Sequence, residues 1–276
     1  MSAGKDKLGI LAGGGPLPGR LARRCLETGR PVFIVAFTGQ TEPSSVEGVP
    51  HLWTRMGSVG PTLERLHAEG VTELCMIGPV HRPTIRELLP DLRGARMAAR
   101  IGLGARGDDG LLRGLGEALA DEGFRLVGAH DLMEELLAKP GLLTRRAPTD
   151  ADRADIDRGL LVARAVGAVD VGQGAVVQQG VVLAVEAAEG TDAMLERAGA
   201  LLRAAGGGVL VKARKPQQDT RLDMPTIGVV TVERAAAAGL AGIAVEADGA
   251  LIEDAAAVAE AADRLDLFVV CLEPGR

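Results

Sequence analysis

Aromatic side chains are the first thing this sequence lacks. Tyrosine is absent, tryptophan occurs once (Trp53), and aromatics make up 2% of 276 residues. Little is left for stacking on bases, and the net charge of −6 implies no general polyanion-binding surface, so no nucleic-acid partner is expected. Histidine is scarce too. The four (His51, His67, His81, His130) are scattered, with no H-E-x-x-H pair, which excludes a zincin-type metal site. The three cysteines (Cys25, Cys75, Cys271) lie far apart in apolar surroundings and read as buried free thiols of a reducing compartment. No uninterrupted apolar run reaches the ~18 residues of a membrane span and the N-terminus has no apolar signal region, so a cytoplasmic protein is expected. Nucleophile-elbow and Walker-type phosphate motifs are also missing.

What is present is aliphatic and alternating. Leu8–Ala12 reads as a buried strand, followed by the turn Gly13-Gly14-Gly15, a helix from about Arg20 and a second strand to Phe37, the opening of a doubly wound sheet. Such a turn suits an anion at a helix N-terminus. As a dinucleotide fingerprint it is incomplete, because Pro18 stands in place of the third glycine and no acidic residue ends the second strand. Helix and strand continue to alternate to about Leu137. Thr84–Glu87 reads as a capping box, and Asp108 and Asp109 as caps of a helix to Glu122. Residues 1–138 are therefore expected to form a Rossmann-like, parallel-sheet domain. Residues 139–150, broken by two prolines and a glycine, read as a linker, and 151–276 as a distinct mixed α/β domain. In that second half, Gln179-Gly180 reads as a turn between strands. Thr191 or Asp192 reads as the N-cap of a helix to Ala205, and Asp248-Gly249 as a hairpin-type turn.

Lysine gives the strongest local signal. The chain has five lysines against 26 arginines, yet Lys212 and Lys215 stand three positions apart between two strand-like apolar runs. The intervening loop also carries Arg214, Gln218, Asp219, Thr220, Arg221 and Asp223. Cations that neutralise a phosphoanhydride, together with a carboxylate for a hard divalent ion, would serve phosphoryl chemistry. Asp223, among Lys and Arg neighbours, suits the metal role, with Asp219, Glu189 and Asp192 as further candidates. Gln173, between Gly172 and Gly174, could allow close backbone approach to a ligand or form a plain tight turn.

Together, Leu11-Ala-Gly-Gly-Gly15, Gly172-Gln-Gly-Ala-Val-Val177, Glu189-Gly-Thr-Asp192 and the run from Lys215 to Gly228 closely resemble the LpxI family. The resemblance spans nearly the whole chain, including Gly107-Asp-Asp109 and Glu122-Gly-Phe124. It implies a UDP-2,3-diacylglucosamine pyrophosphatase of lipid A synthesis in Gram-negative bacteria, releasing 2,3-diacylglucosamine 1-phosphate (lipid X) and UMP. It also implies dependence on Mg²⁺ or another divalent ion such as Mn²⁺, and a lipid cleft between two α/β domains. Asp223 falls on the family's essential aspartate. Gly13, Gly14, Gly15, Gln173, Gly174, Thr191, Asp192, Lys212, Lys215, Gln218, Thr220 and Arg221 become candidate substrate contacts, with Asp219 beside Asp223 as a candidate metal ligand. Asp219 departs from the family, in which glutamate is expected to be common at that position. The substrate implies transient contact with the inner face of the inner membrane, and a homodimer is compatible with the sequence. The rival readings are a non-catalytic lipid- or nucleotide-sugar-binding protein and, last, an NAD(P)-dependent oxidoreductase.

Overall fold

The computed structural model describes residues 6–80, 89–102, 107–203 and 207–275. The chain divides into two compact units. One comprises Met1–Glu134 with Asp219–Asp223, the other Glu135–Gln218 with Met224–Arg276.

The first unit contains β1 (Leu8–Ala12), α1 (Leu17–Glu27), β2 (Val32–Phe37), β3 (His51–Thr54), α2 (Val59–Ala68), β4 (Glu73–Ile77), α3 (Leu92–Gly102), α4 (Gly107–Asp121), β5 (Arg125–Leu126) and α5 (Ala129–Leu132). Its five strands are all parallel, in the order β3-β2-β1-β4-β5. The run Val32–Phe37 is almost wholly buried, as expected for a strand of a parallel sheet covered on both faces. Phe33, Val35, Leu63, Leu66, Leu74, Leu119 and Leu126 pack into one core, and Leu222 joins them from the returning segment. The parallel-sheet reading therefore holds for this unit. Its details differ: the strand expected from Phe124 to Gly128 is reduced to β5, and the helix expected to Leu137 is α5 followed by a 3-10 turn at Glu134–Leu136. Thr84–Glu87 and His81 lie outside the described residues.

The second unit contains β6 (Gly141–Leu142), α6 (Asp150–Ala168), β7 (Gly174–Gln178), β8 (Val181–Val185), α7 (Gly190–Gly199), β9 (Val209–Lys212), β10 (Thr226–Ile227), α8 (Val229–Ala237), β11 (Gly242–Glu246), β12 (Leu251–Ile252), α9 (Ala255–Arg264) and β13 (Phe268–Leu272). Six of its strands form a mixed sheet ordered β6-β13-β11-β9-β7-β8, with β9, β11 and β13 mutually parallel and β6, β7 and β8 running antiparallel to their neighbours. Part of the expected linker is thus an edge strand, β6. Moreover, Thr144 within that stretch accepts the Val269 N–H at 3.0 Å.

The turn at Gln179-Gly180 forms as expected. Both residues have positive φ (51° and 74°), and the buried Asp155 carboxylate accepts both of their amides, at 2.8 and 2.6 Å. Asp248-Gly249 does not make a hairpin. The strand that follows, β12, pairs in parallel with β10 and not back onto β11. The N-cap position of α7 is Glu189, two or three residues earlier than expected and without a side-chain capping bond, and the helix ends at Gly199.

Strand alternation decides the faces of this sheet. Val209, Val211 and Ala213 pack with Ile156, Leu160 and Ala163 of α6, whereas Leu210 belongs to the opposite core with Met194, Leu195 and Val232. By the same period of two, Lys212 ends β9 on the Leu210 face, the side covered by α7. That register carries a lysine into the interior.

Candidate functional site

Lys212 is 5% exposed. A buried ammonium must be hydrogen-bonded to be tolerated. Its Nζ donates to Thr191 Oγ1 at 2.9 Å, in the first turn of α7, and to the Thr226 carbonyl oxygen at 3.2 Å. The Thr191 hydroxyl in turn donates to Glu186 Oε1 at 2.5 Å. Glu186 is itself buried, and its second carboxylate oxygen, Oε2, accepts the Gln173 backbone N–H at 3.3 Å.

From Gln173 the network continues to the second lysine. Gln173 Oε1 accepts from Gln218 Nε2 at 3.2 Å, and Gln218 Oε1 accepts the Lys215 backbone N–H at 3.2 Å. The Lys215 ammonium is buried against Asp170, Nζ to Oδ1 at 2.5 Å. Asp170 holds its place with a left-handed φ of 56°, in the turn that follows α6. Gln217 closes over the same helix end by donating to the Gly167 carbonyl at 2.9 Å. Gln173, Gly174, Thr191, Lys212, Lys215 and Gln218, expected on sequence grounds to share a site, thus lie on one hydrogen-bonded network within the second unit.

The glycines around Gln173 acquire a specific reason. A Cβ on Gly172 would stand 2.0 Å from the Glu186 carbonyl oxygen, and one on Gly174 3.0 Å from Glu186 Oε2. The two positions are bare so that the Glu186 strand end can approach. Gly174 also pairs directly with Lys212 across β7 and β9. Glu186 is the member of this network that sequence reasoning missed. Its only signal was a carboxylate closing the apolar run of β8, five positions before Thr191.

The remaining candidates separate from that network. Asp192 is exposed. Glu189 is held in a surface pair with Arg197 (2.5 Å), and its carboxyl stays below the ordinary range, first through a bond to its own backbone and then through Arg197. Arg214 is exposed. Its backbone N–H donates to Glu246 Oε2 at 2.9 Å, and it lines an open pocket with Asp248 and Pro274.

Asp219–Asp223 belongs to the first unit. The N–H groups of Leu222 and Asp223 both donate to the Asp219 carbonyl, at 2.9 and 3.2 Å, which makes the segment one helical turn. Asp219 and Asp223, four apart, therefore share a face of that turn. Both oxygens of Asp219 are engaged by Arg221: Oδ1 accepts its backbone N–H and Nε, each at 3.0 Å, and Oδ2 its terminal nitrogen at 2.6 Å. The Arg221 guanidinium holds the Asp219 carboxyl below its usual range, with a smaller contribution from Arg113. Thr220 and Asp223 are half-buried and Arg221 is exposed.

The glycine turn of the first unit is closely packed. The Gly13 N–H donates to the Ile77 carbonyl at 2.9 Å and the Gly14 N–H to the Pro79 carbonyl at 2.8 Å. A Cβ on Gly13 would stand 2.3 Å from the Gly78 carbonyl oxygen. The turn thus fills the point where the order of strands reverses between β1 and β4, the usual ligand crevice of such sheets. Any anion contact here falls to Gly15 and the amides beyond it, where Pro16 and Pro18 contribute none.

Among the described residues, no group of three or more His, Cys, Asp or Glu side chains is placed to hold a metal ion. Magnesium does not require one, because it commonly takes one or two carboxylates and completes its shell with substrate phosphate and water. The half-buried Asp219 and Asp223 on one turn fit such a two-carboxylate set, provided that Asp219 exchanges an Arg221 contact for the ion.

A parallel-sheet unit joined to a mixed-sheet unit defines a two-domain α/β protein, with a buried pair of lysines in the second unit. The model of the LpxI N-terminal domain matches residues 7–136 and that of the LpxI C-terminal domain residues 139–270. The chain belongs to the LpxI family. A relative from Caulobacter vibrioides, "UDP-2,3-diacylglucosamine pyrophosphatase LpxI", is 46% identical over 97% of this chain and 98% of its own length. Among solved structures, "CobK precorrin-6A reductase" aligns over 99% of this chain and 91% of that one at 15% identity and a TM-score of 0.34, a likeness too loose to carry any argument.

Proposed function

We propose that this chain hydrolyses the pyrophosphate bond of UDP-2,3-diacylglucosamine, releasing 2,3-diacylglucosamine 1-phosphate (lipid X) and UMP for lipid A synthesis, with Mg²⁺ as cofactor. The observation that carries the reading is full-length similarity, at 46% identity, to a relative bearing that activity in its name. The chemistry of the residues supports it. A pyrophosphate diester carries charge that must be neutralised before water approaches phosphorus; Lys212, held by Thr191 and the Thr226 carbonyl, would serve that, whereas Lys215 would have to share its ammonium with Asp170. Asp223, with Asp219, would hold the metal ion, which supplies charge neutralisation and orientation of phosphate oxygens when bound. Gln173, Thr191, Gln218, Thr220 and Arg221 remain proposed substrate contacts, as do Gly13–Gly15, Gly174 and Asp192. The acyl chains of the substrate imply work at the cytoplasmic face of the inner membrane. No helix among the described residues is long and apolar enough to cross a membrane.

Asp223→Ala is the decisive variant. It is expected to keep the fold while lowering UMP release in Mg²⁺ by about 10²–10³-fold, the cost of removing one principal electrostatic group. Near-normal turnover of Asp223→Ala would remove that residue from the mechanism. A wild-type chain that binds the UDP-sugar but releases no UMP at any Mg²⁺ concentration would overturn the enzymatic reading in favour of a binding protein.

A further inference from the structure

We infer that Glu186 is a positioning residue: acting through Thr191, it fixes the Lys212 ammonium so that one N–H remains aimed at a phosphate oxygen of the ligand. The inference rests on the proposed reading for the identity of that ligand. Its geometry stands on the protein alone.

A threonine hydroxyl has one hydrogen and two lone pairs, and by itself it rotates freely. Here its hydrogen goes to Glu186 Oε1 at 2.5 Å, so a lone pair is presented to Lys212 Nζ at 2.9 Å. The Thr226 carbonyl takes a second ammonium hydrogen at 3.2 Å. Two of the three donors are thereby committed, and the third has a fixed direction. Glu186 is secured from its other side by the Gln173 N–H on Oε2, and by its own N–H, which donates to the Gly174 carbonyl at 2.8 Å. The bare Gly172 and Gly174 allow it to lie that close. A carboxylate is needed at this position because two donors converge on it, one on each oxygen. Glutamine has a single acceptor oxygen and would leave either Thr191 or Gln173 facing an NH₂ group. Lys215 does not depend on this carboxylate, since Asp170 holds its ammonium.

That independence supplies the test. With five lysines in the chain, the side-chain ammonium signals can be assigned by ¹⁵N NMR of the full-length protein using Lys212→Arg and Lys215→Arg. Glu186→Gln is expected to speed hydrogen exchange of the Lys212 ammonium about 10-fold and leave that of Lys215 unchanged. It should also lower kcat/KM for UDP-2,3-diacylglucosamine about 10- to 100-fold, the range for losing one coupled contact. Thr191→Val, which cuts the same link and leaves Glu186 in place, should reproduce both effects and serves if Glu186→Gln does not fold. An unchanged Lys212 signal in Thr191→Val overturns the inference, as does loss of both lysine signals together with a fall in Tm, which marks a merely structural role. Should the wild type show no turnover while the Lys212 signal still follows Glu186 and Thr191, the pyrophosphatase reading fails and the positioning of Lys212 stands.

Discussion

Asp219 and Arg221 show how a single pair can set the acid limit of a loop. Arg221 reaches back two residues to grip both carboxylate oxygens, and the Asp219 carboxyl is held below its ordinary value of 3.8 by that bond first. A carboxyl with a depressed folded value contributes stability that is fully present above the unfolded value and is lost as pH falls through the folded one. The contribution is thus complete above about pH 4–5 and fades only in stronger acid. Wild type and Asp219→Asn are accordingly expected to differ in Tm by a constant amount from pH 5 to 8 and to converge as pH falls through the lowered folded value. Thermal melts across that range check it, and curves that stay parallel into acid would show that the pair does not carry this linkage. The pair sits partly in water, so the difference is expected to be small.

Element by element, β7 and β9 show what the sequence could and could not reveal. The apolar runs of both strands, the turn at Gln179-Gly180 and the unusual lysines were legible, because side-chain period and residue scarcity are local properties. The meaning of Gly172-Gln173-Gly174 was not. Two glycines around a glutamine suit close approach to a ligand as well as close approach to another part of the chain, and only the antiparallel pairing of β7 with β8 and β9 brings Glu186 there. For the same reason Asp248-Gly249 reads as a hairpin locally, although its second strand pairs with β10. Gly172→Ala separates the two meanings of the motif. Its Cβ would press on the Glu186 carbonyl at 2.0 Å and its carbon at 2.6 Å, backbone atoms that cannot swing aside. The variant is expected to lose about 3 kcal/mol or more, a fall in Tm of roughly 6–12 °C. Gly102→Ala, with open space around the added methyl, should not lower Tm. A Gly172→Ala protein with native Tm and reduced turnover would return the motif to ligand contact.

For the whole molecule, the decisive feature is the path of the chain. It passes from the first unit to the second after Glu134, returns after Gln218 and leaves again after Asp223. No periodicity announces such an excursion. The sequence shows a charged loop between two strands of one domain, whereas the structure counts five of its residues with the other. Leu222 is what anchors them: it is 9% exposed, it joins the core built on Phe33 and Leu119, and its methyls lie against the bare Gly116 of α4. The residue next to the proposed catalytic Asp223 therefore reports the integrity of the first unit. Leu222→Ala removes a buried leucine, a change that costs about 2–5 kcal/mol. Trp53, the sole tryptophan, lies in β3 of that same unit, so urea unfolding followed by its fluorescence reads the loss directly. The midpoint of that transition is expected to move to lower urea in Leu222→Ala, and UMP release is expected to fall even where the protein remains folded, because the turn that carries Asp223 has lost its anchor. A transition that keeps its wild-type midpoint would mean that the excursion does not contribute to the first unit's core, and the coupling of core packing to Asp223 would go with it.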